Sequence, residues 1–201
     1  DLSIQVWVDP SSLPSAGNQA WFVNKNKVYR IGLKNVGGTT KIIAEFRDGS
    51  GDYVDLESTT LSNASGGWYH VVFTFDDSSN RVRLYVNDTR VATKNHYSST
   101  VNQNSPFSIG RRHDTNGGYY DGKIDEVAYW DTELSENEIS ALYNSGTPLS
   151  ASSNSGNYTS SGSLIMYYQF QENLNDSEGS FNLTNYNNNI GSSDYVAETI
   201  D

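Results

Sequence analysis

The stretch Trp68-Tyr69-His70-Val71-Val72-Phe73-Thr74-Phe75 fixes what this chain can become, because it alternates with period two. Successive side chains of a strand point to opposite faces, so Tyr69, Val71, Phe73 and Phe75 share one face. Asp76 to Asn80 follows with residues that tolerate turn dihedrals, and Arg81 to Asn87 returns with Val82, Leu84 and Val86 inward. Further strand patterns occur at Leu2–Val8, Val28–Leu33, Lys41–Phe46, Tyr53–Leu56, Phe107–Gly110, Lys123–Trp130 and Leu164–Phe170. Gly, Asn, Asp and Ser clusters interrupt them every ~8–15 residues, the spacing of an all-β sandwich. The expected fold is therefore an all-β sandwich of two packed sheets.

One helix is predicted, near 135–144. Ser135-Glu136-Asn137-Glu138 reads as a capping box, Leu134 and Ile139 occupy the staple positions, and Gly146 follows the last turn. Ile139, Leu142 and Tyr143 give it one apolar face. From Ser145 to Ser163 the composition is Ser, Gly and Asn, which reads as a linker.

Thirteen Lys and Arg against twenty-four Asp and Glu leave a net charge of −11 over 201 residues. Such a surface repels phosphate polymers, so neither a nucleic acid nor an anionic membrane is an expected partner. With no cysteine, disulfides and thiolate metal sites are excluded. No apolar run reaches the ~18 residues of a membrane span. Fourteen Tyr, seven Phe and four Trp supply a core that an acidic disordered chain lacks.

Two motifs carry a family resemblance. Gly67-Trp68-Tyr69-His70-Val71-Val72-Phe73-Thr74-Phe75-Asp76 with Val82-Arg83-Leu84-Tyr85-Val86-Asn87 resembles the central hairpin of laminin-G-like and pentraxin-like domains. Ile109-Gly110-Arg111, Tyr120-Asp121-Gly122-Lys123-Ile124-Asp125-Glu126-Val127-Ala128-Tyr129-Trp130 and Leu134–Ile139 resemble the same family's glycine, Ile-Asp-Glu-Val strand and short helix, in that order. The family is the concanavalin A-like lectin/glucanase superfamily, and the resemblance implies an all-β, concanavalin A-like jelly-roll sandwich of two antiparallel sheets. Leu164–Phe170 with Leu174–Gly179 looks like the strand that normally opens such a domain, here at the C-terminal side. The expected organisation is one sandwich over 1–201, circularly permuted, with 164–201 supplying that strand. The alternative is a sandwich over 1–146, a linker at 147–163 and the start of a next repeat at 164–201.

Catalytic signals are poor. There is no nucleophile elbow and no cysteine, and His70, His96 and His113 lack metal-ligand spacing. The glucanase branch of the family writes its carboxylate pair on one strand as Glu-x-Asp-x-x-Glu. Asp125 and Glu126 have the wrong spacing, and alternation turns them to opposite faces. The chain is not expected to be an enzyme.

Calcium wants six to eight oxygen ligands, which loops supply. The resemblance places Asp114 on the pentraxin calcium loop, although Arg111 and Arg112 stand where that loop needs acid. Asp176 would approach Asp125 if the tail strand docks beside Ile124–Trp130, so a single calcium ion on Asp176 and Asp125 is an expectation, with Asp114 of the other loop as a further candidate metal ligand. Asp176 could equally cap its own turn. For sugar, which needs aromatic faces with polar forks, the candidates are Arg111, Arg112, His113, Asp114, Tyr119 and Tyr120, with Tyr97 and Trp21 on other loops. Trp7, Trp68 and Trp130 sit in strand patterns and are expected to pack, and His70 reads as structural.

The expected function is a non-catalytic carbohydrate- or surface-polymer-binding module of a larger extracellular, cell-surface or virion-surface protein. A structural or adhesive sandwich without a small ligand is the alternative, and a polysaccharide hydrolase or lyase comes third.

Overall fold

A computed structural model describes residues 1–47, 49, 51, 53–61, 67–96, 105–113, 117–171 and 173–185. Its strands are β1 (Leu2–Pro10), β2 (Gln19–Lys25), β3 (Tyr29–Val36), β4 (Thr39–Arg47), β5 (Tyr53–Leu61), β6 (Tyr69–Asp76), β7 (Arg81–Val86), β8 (Thr89–Asn95), β9 (Phe107–Ile109), β10 (Gly122–Trp130) and β11 (Leu164–Tyr168). They form a six-stranded sheet, β11-β10-β1-β6-β7-β8, and a five-stranded sheet, β5-β4-β3-β2-β9. Pairing is antiparallel, as in β1 with β6 and β3 with β4. The all-β sandwich matches the sequence expectation.

The predicted turn after β6 is held by Asp76, whose Oδ1 accepts from Ser79 N at 3.0 Å. The strand at 164 lies beside β10, with Tyr167 opposite Ala128 and Tyr168 opposite Val127. β2 and β8 lie outside the predicted segments. In β2 the alternation is broken by a register shift between Trp21 and Val23. β8 is reached through Asn87 and Asp88, both at positive φ (49° and 62°), so the turn carries no glycine to announce it.

Between the sheets, Ile4, Val6, Val8, Val71, Phe73 and Phe75 meet Phe22, Ile31, Leu33, Ile42, Ala44 and Phe46. Burial of each larger side chain stabilises by ~1.5–3 kcal/mol. This core leaves each sheet with one outer face.

The outer face of the six-stranded sheet is covered. Val72, Tyr85, Ala128, Trp130 and Tyr167 pack beneath Leu134, Ile139, Leu142, Ala151 and Tyr158. Ile139 and Leu142 come from helix α1 (Glu136–Tyr143), which carries the predicted capping box: Ser135 N donates to Glu138 Oε2 at 3.0 Å and Glu138 N to Ser135 Oγ at 3.3 Å. Its left-handed cap is Asn144, φ 44°, rather than a glycine. Beyond it, the stretch whose composition reads as a linker is a packed strap. Tyr158 is fully buried; its hydroxyl accepts from Trp130 Nε1 at 2.9 Å and donates to the Ala151 carbonyl at 2.7 Å. Glu138 Oε1 gathers the Thr159 amide, the Thr159 hydroxyl and the Ser160 hydroxyl at 3.3, 3.2 and 2.5 Å. Polar composition hid this because Thr159 and Ser160 direct their polar groups to one buried glutamate.

Under the same cover, His70 stacks on Trp7 (5.0 Å) and on Tyr143 (5.9 Å) and donates from Nε2 to Gln5 Oε1 at 2.9 Å. Burial lowers its pKa to about 3. The expected alternation across Asp125 and Glu126 is interrupted: the β1–β10 register shifts there, and Glu126 stands at φ 50°. Glu126 is buried and accepts a hydrogen bond from the Tyr167 hydroxyl, and burial raises its pKa to about 7. No helix among the described residues is long and apolar enough to cross a membrane.

Candidate functional site

The outer face of the five-stranded sheet is where alternation places Trp21, Arg30, Lys34, Lys41, Glu45, Arg47, Tyr53, Asp55 and Glu57, since their strand neighbours fill the core. Register sets Asn24, Arg30, Glu45 and Asp55 side by side across four strands. Arg30 is its centre: the guanidinium lies 4.8 Å from the Trp21 ring centroid and 5.1 Å from that of Tyr53. Its Nε is paired with Glu45 Oε2, while Lys34 Nζ reaches Glu45 Oε1 at 3.6 Å. The Arg47 guanidinium lies 5.9 Å from the same Tyr53 centroid and donates from Nε to the Gly51 carbonyl at 3.0 Å. Planar guanidinium groups on aromatic faces hold both in one geometry. Tyr53 remains 46% exposed, so the ladder ends in an accessible aromatic ring.

Lys41 Nζ and Glu57 Oε2, 2.7 Å apart, complete the face. This hydrogen bond holds the Glu57 carboxyl below the usual carboxylate range. At the far edge β5 meets β8, where Tyr53, Val54, Asp55, Lys94 and Asn95 line a cavity of about 470 Å³.

Of the residues singled out from the sequence, Trp21 is only 1% exposed. Gly32 and Gly118 close on its ring: a Cβ would meet ring atoms at 2.9 Å from Gly32 and 2.6 Å from Gly118, the latter at φ 64°. Trp21 thus supports Arg30 and presents no open face. Arg111, Arg112 and His113 follow β9 and are laced to β2: the Arg111 carbonyl accepts from Ser108 Oγ at 3.0 Å, and His113 N donates to Asn24 Oδ1 at 3.4 Å. Arg112 N bonds the Gly117 carbonyl at 3.1 Å, and Gly118 O accepts from Trp21 N at 2.9 Å. The loop therefore flanks the Trp21 end of the ladder. Tyr119 is 49% exposed there. Tyr120 turns inward, edge-on to Phe22 at 4.9 Å, and burial pushes its hydroxyl pKa well up. Tyr97 and Asp114 lie outside the described residues.

The two described acids of the expected calcium site, Asp176 and Asp125, are engaged by backbone amides. Asp176 Oδ1 accepts from Tyr167 N at 2.9 Å and Glu178 N at 3.2 Å, and Oδ2 from Phe181 N at 3.3 Å, which is the turn-capping geometry. Asp125 Oδ1 accepts from Glu126 N at 2.8 Å. Among the described residues no three His, Cys, Asp or Glu side chains converge as a metal site.

Arg30, Arg47, Tyr53, Asp55 and Lys94 were missed in the sequence. The signal that could have found them is the outward phase of β3, β4 and β5, whose polar positions repeat every second residue.

Residues 1–140 match the family model of the concanavalin A-like lectin/glucanases superfamily. The chain belongs to that superfamily. No curated protein matches the sequence. Among solved structures, the chain is similar to a Bacteroides ovatus protein assigned as carbohydrate-binding, at 20% identity and TM-score 0.64, covering 84% of this chain and 45% of the other. A Ruminococcus gnavus IT-sialidase carbohydrate-binding module, CBM40, bound to α2,3-sialyllactose, aligns at 16% identity and TM-score 0.55, covering 71% of this chain and 82% of the module. A heptameric SAP-like pentraxin from Limulus polyphemus aligns at 17% identity and TM-score 0.51, with 71% and 69% covered. At these identities the likeness is one of fold.

Proposed function

We propose that the chain is a non-catalytic carbohydrate-binding module of a larger extracellular or virion-surface protein, with glycan held on the open face of the five-stranded sheet. The observation that carries this is the ladder of Trp21, Arg30, Tyr53 and Arg47, which ends in an exposed ring beside fixed donors and acceptors. Sugars need that combination, an aromatic surface for the apolar side of the ring and polar forks for the hydroxyls. The carbohydrate-binding assignments of the Bacteroides ovatus and Ruminococcus gnavus relatives support it. In this reading the whole chain works as one sandwich, with β11 as an edge strand.

The chemistry on the face favours binding over hydrolysis. Glu45 and Asp55 are cross-strand neighbours, and a glycosidase would use such a pair as acid and nucleophile. Here both Glu45 oxygens are engaged, one by Arg30 and the other by Lys34, so Glu45 is not free to act as one half of such a pair.

The test is a glycan array probed with the module, with and without millimolar calcium. Binding to at least one glycan class, lost in Arg30→Ala, is the expected result. An array blank under both conditions overturns the reading and leaves the adhesive sandwich in its place.

A further inference from the structure

The cavity where β5 meets β8 lies on the open margin between the sheets, away from the Arg111–Tyr120 loop that the sequence singles out. Three of its properties converge. First, its volume, about 470 Å³, accommodates one monosaccharide unit with room for water. Second, one wall is Tyr53, a ring held by two guanidinium groups and still 46% exposed. Third, Asp55 has a carboxylate oxygen, Oδ1, that is buried and has no hydrogen-bond partner among the described residues. A carboxylate oxygen withdrawn from water without a donor costs free energy, which a ligand donor would offset.

The remaining polar walls are Lys94 and Asn95. Lys94 faces β5, since its charge contributes to lowering the Glu57 pKa. With one acid and one base, the lining carries no net charge. An anionic sugar would set a second negative charge beside Asp55, whereas a neutral one brings hydroxyl donors to Asp55 and acceptors to Lys94 and Asn95.

We propose that this cavity is the subsite for one hexopyranose unit of a neutral glycan, stacked on Tyr53 and hydrogen-bonded through its hydroxyls to Asp55, Lys94 and Asn95. The proposal rests on the glycan-binding reading above and names the ligand class and its position.

Calorimetric titration of cello-, manno- and galacto-oligosaccharides and of α2,3-sialyllactose tests it, on the parent and on Tyr53→Ala, Tyr53→Phe, Asp55→Ala and Tyr119→Ala. The expected result is a neutral ligand whose affinity falls roughly tenfold in Tyr53→Ala and is kept in Tyr53→Phe. Asp55→Ala should weaken it ten- to a hundredfold. Tyr53 is exposed, so its variants fold, and equal melting midpoints verify that. Neutral binding that is unchanged in Tyr53→Ala, or weakened only in Tyr119→Ala, overturns the subsite and leaves the general function standing. Binding of sialyllactose alone does the same. If no sugar binds the parent, both fall together.

Discussion

The outer faces of the two sheets meet opposite fates. On the six-stranded sheet, Gln5, Trp7, His70, Trp130 and Tyr167 are buried beneath α1 and the strap that follows it. On the five-stranded sheet, Tyr53, Lys34 and Lys41 remain open to solvent and the charges are arranged in pairs. The same fold thus carries two kinds of aromatic residue: those on the covered face are buried, and Tyr53 on the other face keeps a ring 46% exposed. What separates them, among the described residues, is the placement of one capped helix over the six-stranded sheet.

The largest way to break this contrast is Trp130→Ala. It removes a fully buried ring together with the donor to Tyr158, and should cost ~3–5 kcal/mol in urea unfolding. Tyr53→Ala, on the open face, should stay within ~0.5 kcal/mol of the parent. Equal losses in the two would mean that the faces are not different in kind.

Next in size is the pH dependence of the covered face. Glu126 titrates at about 7 when folded against 4.5 when exposed, so the unfolded chain releases this proton first and stability falls as pH rises from 4.5 through 7. His70, at about 3 against 6.5, acts in reverse, with stability lost as pH falls from 6.5 towards 3. Glu126→Gln should therefore gain ~1–3 kcal/mol above pH 7 and nothing near pH 4. Denaturant midpoints taken across that range check it, and a variant gain independent of pH would remove Glu126 as the source.

The smallest effect belongs to the open face. Lys41→Ala breaks an exposed pair with Glu57 and should cost ~0.5 kcal/mol, disappearing in high salt. A loss that survives 1 M salt would show that the pair packs rather than merely attracts.

The hairpin at Tyr69–Val86, the capped helix and the tail strand were legible because each is written in local terms: alternation, a capping box, an apolar run. β2 and β8 were not, since a register shift at Trp21 and a glycine-free turn at Asn87-Asp88 erase the usual marks. The strap of 147–163 misled because serine and glycine look alike in a linker and around a buried Glu138. The candidate site was legible only in part. Trp21 was a natural aromatic to choose, but whether a ring faces solvent or a glycine depends on the neighbouring strand. Tyr53, the first residue of its strand, gave no sign that two arginines from β3 and β4 would converge on it.

The sheet margins carry a consequence for crowding. β9 has three residues and β11 five, β8 bears Arg90 and Lys94, and β5 bears Asp55 and Glu57. Short or charged margins resist recruitment of foreign strands. Copies of the chain held close together would therefore keep their sheets apart rather than join them edge to edge.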